Sequence, residues 1–157
     1  MQNIVEFRQM LHDNAELSGK EVKTNAILND FIAGLHPDVH IRNIGGYGIA
    51  AVFRGKNPGH RIMVRGDIDA LNIPEGDRHC SHRCGHDGHA AILAGLAQRL
   101  SEKRPENGEV VLLWQPAEET GQGAKAILAD PQFEQIKPDV AYALHNIPGY
   151  PENQILL

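Results

Sequence analysis

The sequence predicts an α/β domain built on a mixed, mostly parallel sheet flanked by helices. Three observations carry this. Strand-like and helix-like segments alternate along the chain. Val110-Val111-Leu112-Leu113-Trp114 is a continuous apolar run, the pattern of a strand covered on both faces. Residues able to do chemistry recur just after three strands and just before one helix, at the edge where α/β sheets gather ligands.

From the N-terminus, Ile4, Val5, Phe7, Met10 and Leu11 fall at roughly helical spacing within residues 3–12. Ser18 followed by Glu21 has capping-box spacing, so a second helix is expected to start there. Its apolar face would be Val22, Ala26, Ile27, Phe31 and Leu35. Both helices are read as packing against the sheet, with Glu21 as a cap rather than a pocket residue. The turn Gly45-Gly46-Tyr47-Gly48 leads into a strand at residues 49–53, closed by Gly55-Lys56-Asn57-Pro58-Gly59 as a hairpin or longer loop. These glycines are no phosphate loop, because no Gly-Lys-Ser/Thr and no helix follow. Residues 61–66 form the next strand, which runs into Asp67-Ile68-Asp69. The apolar run at residues 90–100 is a buried helix with Asp87 near its start. Polar residues 101–108 link it to the strand at 110–114. A short helix at 121–129 and a strand at 140–144 complete the series.

A chain of 157 residues fits one domain with a real core. Its 41% hydrophobic and 22% charged content are those of a soluble globular protein. A net charge of −5 without a basic patch argues against nucleic acid as a partner. The opening Met-Gln-Asn-Ile-Val-Glu-Phe-Arg lacks the features of a signal peptide, and no apolar run reaches membrane-spanning length. Two cysteines four residues apart then read as reduced thiols in a cytoplasm, with no membrane partner.

The chemistry concentrates between His79 and His89, which hold both cysteines and four of the nine histidines. Cys84 and His86 are two apart, so one tight turn can aim a thiolate and an imidazole at the same cation. Gly85 and Gly88 let that turn bend sharply. Asp67 and Asp69, at a strand's end, are either ligand candidates or solvated loop acids; spacing does not separate the two. Glu118 and Glu119 follow a buried strand, where neighbouring carboxylates repel, so one should be protonated or neutralised by a cation. His145 ends the last strand. A histidine there is commonly a loop residue, but this is the third strand end with a potential ligand. Cys84, His86, Glu118, Glu119 and His145 together offer sulfur, nitrogen and oxygen, a set suited to zinc, with manganese, nickel or cobalt as alternatives.

These motifs resemble those of the dinuclear metal amidohydrolases of the aminoacylase/carboxypeptidase peptidase family. The similar branch contains hippurate hydrolase, N-acyl-amino-acid amidohydrolases and the plant auxin-conjugate hydrolases. Glu16-Leu17-Ser18-Gly19-Lys20-Glu21 resembles the opening motif, and Arg65-Gly66-Asp67-Ile68-Asp69-Ala70-Leu71 the acidic strand end. Cys84-Gly85-His86-Asp87-Gly88-His89 resembles the metal motif. Gln115-Pro116-Ala117-Glu118-Glu119 and Leu144-His145-Asn146 complete the series in the family's order. The resemblance implies a zinc-peptidase-like catalytic domain and hydrolysis of N-acyl amino acids or small peptides. It implies two divalent ions, with Cys84 shared, His86 and His145 completing one ion, and Glu119 on the other. Glu118 would be the general base on a metal-bridging water, and Asp69 would orient a ligand.

The resemblance covers the N-terminal part of that domain, residues 1–157. The family's lid, which mediates homodimers and helps bind substrate, would follow at about residues 154–157. A later catalytic segment, with one more histidine for the Glu119 ion, would come after it. Arg83 stands where the family has a small residue and would have to point away from a cation. His79, Cys80 and His82 are read as an exposed loop. Two other readings remain open: a metal-binding domain without catalysis, and a structural zinc site built from His79, Cys80, His82 and Cys84.

Overall fold

The computed structural model describes residues 3–151 and residue 154. A five-stranded mixed sheet in the order β1-β2-β4-β3-β5 is flanked by helices, as the α/β pattern predicts. The strands are β1 (Val39–Ile44), β2 (Gly48–Arg54), β3 (Asn57–Asp67), β4 (Asn107–Gln115) and β5 (Val140–Ala143). The helices are α1 (Ile4–Asp13), α2 (Val22–Ala33), α3 (His86–Glu102) and α4 (Gly123–Ala129), followed by a 3-10 turn at Pro131–Gln135. Residues 155–157, part of the stretch where the lid is expected to begin, lie outside the described residues.

β4 is central and feeds both faces. Leu112 and Trp114 join the core under α1, α2 and α3, while Val111 and Leu113 join a second core with Ile127 and Ile136. This is the two-sided burial expected of its apolar run. The Trp114 indole donates to Ala90 O at 3.1 Å, which ties α3 to the sheet.

Several local readings change. β1 pairs antiparallel with β2 at the sheet edge and was not legible in Val-His-Ile-Arg-Asn-Ile. β2 and β3 form no hairpin, because β4 lies between them, antiparallel to β2 and parallel to β3. α2 starts at Val22, and the Ser18–Glu21 capping box does not form. Instead the Glu16 carboxylate accepts from Thr24 N at 2.9 Å and Thr24 Oγ1 at 3.0 Å, capping the first turn. Val22 is 56% exposed, and the buried face of α2 is Thr24, Asn25, Leu28, Asn29 and Ile32. The two asparagines turn this face inward. Asn25 Nδ2 donates to Arg42 O and Tyr47 O, and Asn29 Nδ2 donates to Arg42 O. On α1, Phe7 and Leu11 are buried, but Val5 faces out at 77% exposure.

The strands that position the site run parallel. Asp67 at the end of β3 is in register with Gln115 at the end of β4, and β5 runs parallel beside β3. Their C-terminal ends therefore share one edge, and the start of α3 meets it.

Candidate metal centre

Gly85 precedes α3 with φ of 91°, and a β-carbon there would run into the Asn146 side chain. Only glycine meets both demands. The turn places His86 at the first helical position, fully buried. His86 Nδ1 donates to Asp69 O at 3.0 Å and lies 3.2 Å from Asp69 Oδ1. A carbonyl oxygen only accepts, so Nδ1 carries a proton, and in the neutral ring Nε2 presents a lone pair. That Nε2 is buried without a hydrogen-bond partner and lies 3.8 Å from Glu119 Oε1.

Asp69 ties three segments to this point. Its Oδ2 accepts from Ser18 Oγ at 2.6 Å and from Glu119 N at 3.0 Å, while Oδ1 faces His86. Burial would raise its carboxyl, but the hydrogen bonds from His86, Ser18 and Glu119 N outweigh that and hold it at about 2. Asp67 and Asp69 are both fully buried, so neither is a solvated loop acid.

The turn after β4 carries Glu118 and Glu119. Ala117 adopts φ of 50°, and its N–H donates to Glu21 Oε1 at 2.8 Å. Gly19 N donates to the same oxygen at 2.9 Å. Glu21, fully buried, therefore holds the glutamate turn from across the molecule and makes no side-chain cap on α2. Glu118 is half-buried and Glu119 exposed, so solvent reaches a pair expected to be crowded at a buried strand end.

His145 follows β5. Its Nδ1 donates to Asn146 O at 2.7 Å, and its Nε2 lies 3.6 Å from Cys84 Sγ. Donor atoms of Cys84, His86 and His145 lie within 4.8 Å of one another, and so do those of His86, Glu118 and Glu119. The structure thus brings together all five residues singled out as candidate ligands or base. Their chemistry fits a cation. Burial pushes the Cys84 thiol up to about 12, and Glu119, Glu118 and Asp67 add to the shift. Burial opposes a charged His86, yet Asp69 and Asp67 raise its pKa above the ordinary value. The carboxylates that contribute to both shifts are negative charge that a divalent ion would neutralise.

Sequence reasoning left Asp67 open as a ligand candidate and gave His89 no role; both lie in this cluster. Asp67, His86 and His89 form a third group of donors within 4.8 Å, all buried. Two signals could have found them: Asp67 and Asp69 share one face at a two-residue spacing, and His86 and His89 share one at three. His82 is a correction, since it is 5% exposed rather than on an exposed loop. Cys80 is half-buried and donates to Ala15 O at 3.1 Å, while His79 is exposed. Among the described residues, no metal-sized group includes His79, Cys80 or His82, which removes the basis for the structural zinc site. Arg83 is 57% exposed and turns toward Glu75, away from the cluster.

Residues 63–157, which include every candidate ligand, match the model described as peptidase family M20/M25/M40. The chain belongs to this family. Curated M20 relatives include N-acetyldiaminopimelate deacetylases of Listeria innocua and Exiguobacterium sibiricum. The first is 35% identical over 100% of the chain, the second 37% over 99%. In each case the chain spans 44% of the relative's length. Among solved structures, a dinuclear metal binding peptidase of the M20 family from Bacillus subtilis is 30% identical and superposes with a TM-score of 0.85. That match covers 94% of this chain and 43% of the other. The chain's α/β sheet is that of this M20 structural neighbour.

Proposed function

We propose that this chain supplies the catalytic residues for hydrolysing the amide bond of N-acyl amino acids or small peptides. The observation that carries the reading is His86: its Nε2 is buried and unpartnered, and the residue is shared by the Cys84–His145 group and the Glu118–Glu119 group. Two divalent ions, zinc or manganese by donor type with nickel or cobalt as alternatives, would polarise the scissile carbonyl and lower the pKa of a water. Cys84, His86 and His145 would hold one ion, with Cys84 shared, and Glu119 the other. Asp69 fixes the tautomer that leaves His86 Nε2 bare. Glu118, on the same turn as Glu119, takes the proton of the attacking water and returns it to the departing amine.

The deacetylase names of the relatives make N-acetyldiaminopimelate the first substrate to test, beside N-acetyl and N-benzoyl amino acids. Amine release should require added zinc or manganese. Glu118→Gln should keep the metal and lose ~10²–10⁴-fold in rate. Glu119→Gln should lose metal. Equal metal loss in both variants would refute the division of roles. The exposure of His145 favours a second reading, metal binding without turnover. Retained metal with no amine released from any substrate would select it.

A further inference from the structure

We propose that Asp67, His86 and His89 form an alternative seat for a divalent cation, deeper than the Cys84 seat and exclusive with it because both use His86 Nε2. The proposal rests on His86 being a metal ligand. Asp67 and His86 are fully buried and His89 is 2% exposed. Cys84 is half-buried and His145 exposed. Asp67 Oδ2, His86 Nε2 and His89 Nδ1 are buried without hydrogen-bond partners, while Asp67 Oδ1 pairs with Arg65. The three residues offer donor atoms within 4.8 Å of one another, and the two imidazole rings lie 5.2 Å apart.

With both rings neutral, the three unpartnered atoms are acceptors. His89 Nε2 donates to Asn146 Oδ1 at 2.8 Å, a shorter contact than the 3.4 Å approach of Asn146 N, so Nδ1 is the bare nitrogen. A water brings two hydrogens to three acceptors, whereas one cation satisfies them together. Arg65 lies 2.5 Å from Asp67 Oδ1 and half-compensates the carboxylate, leaving Oδ2 for the ion. Arg65 also weakens the seat by repulsion, so this seat should bind less tightly than the thiolate one. Manganese gains little from a thiolate, so the sulfur-free seat is where it should bind, while zinc and cobalt are drawn to the thiolate seat. The choice of ion therefore selects the seat.

The test uses manganese and cobalt as separate probes of the purified protein. Cys84→Ala should still take up one manganese per chain, read as loss of the free-ion paramagnetic resonance signal. Adding Asp67→Asn or His89→Gln to Cys84→Ala should weaken that uptake at least tenfold. In the Cys84-containing protein, neither substitution should abolish the near-ultraviolet thiolate-to-cobalt absorbance, which Cys84→Ala alone should remove. Circular dichroism checks that each variant folds, and His89→Gln carries the test if Asp67→Asn does not. The proposal is overturned if Cys84→Ala binds no manganese, or if its uptake is unchanged by both added substitutions. Absence of the cobalt band in the unsubstituted protein would instead count against the Cys84 seat and the hydrolase reading, leaving the manganese result to decide this one.

Discussion

Gly85 meets two constraints with one missing methyl: a left-handed backbone, and an Asn146 side chain where a β-carbon would sit. Gly85→Ala should cost ~1–3 kcal/mol from the backbone strain alone. It should also shift Cys84 and His86 apart, so zinc affinity should fall together with the melting temperature. Calorimetric titration and thermal unfolding of the same preparation check this, and unchanged values in both would show that the turn relaxes freely. At this scale the sequence was legible where residue types are rare and adjacent, as in Cys84 and His86. It was not legible where a common residue gains its role from burial. Asp67 looks like any loop acid until both of its oxygens are found buried, and Glu21 looks like a cap until Ala117 N is found on it.

Between elements, the loop before α2 acts as a strut for the glutamate turn. Glu21 accepts from Gly19 and Ala117, and Ser18 donates to Asp69, so one loop braces both the turn and the His86 partner. Glu21→Ala should destabilise by ~1.5–3 kcal/mol, the range for hydrogen bonds to a charged group, and lower metal occupancy at limiting zinc. Glu21→Gln keeps an acceptor oxygen and should recover most of both. Unchanged metal affinity in Glu21→Ala would reduce the strut to a fold contact. A separate device joins α2 to β1, where His40 Nε2 donates to Asn29 Oδ1 at 2.9 Å. Burial, then Arg42, lowers the His40 pKa below its ordinary 6.5. The folded chain therefore resists a proton that the unfolded chain accepts, so this contribution is present above pH 6.5 and is lost as pH falls toward the lower folded value. The acid limb of a urea-midpoint profile should flatten in His40→Asn; an unchanged limb would assign the effect elsewhere. The element pattern itself was readable for α1 from helical spacing and for α3, β4 and β5 from apolar runs. The insertion of β4 was not, because Gly55 and Gly59 resemble hairpin punctuation. They serve instead as points of close approach, where a β-carbon would meet the backbone of Gly108 at 2.7 Å.

Across the whole molecule, the site lies on an open flank. Every residue of β5 is exposed, with Tyr142 at 60%, and Ile147 and Tyr150 beyond it at 56% and 55%. His145, the ligand candidate on that flank, is exposed as well. Among the described residues, no helix is long and apolar enough to cross a membrane. A site that does not exclude water gains little from preorganised electrostatics, and loss of a single oxyanion donor costs ~10²–10³-fold in other enzymes. We therefore expect residues 1–157 to bind zinc but to release amine at least ~10²-fold more slowly than an M20 relative of full length acting on the same N-acyl amino acid. The exposed tyrosines and isoleucine should also drive self-association, seen as a concentration-dependent elution volume. Metal titration, steady-state kinetics and size-exclusion chromatography on one preparation test the three parts together. Turnover near the ~10 s⁻¹ of a typical enzyme would refute the expectation and mean that the open flank is closed by some other surface, a second copy of the chain being the first to examine.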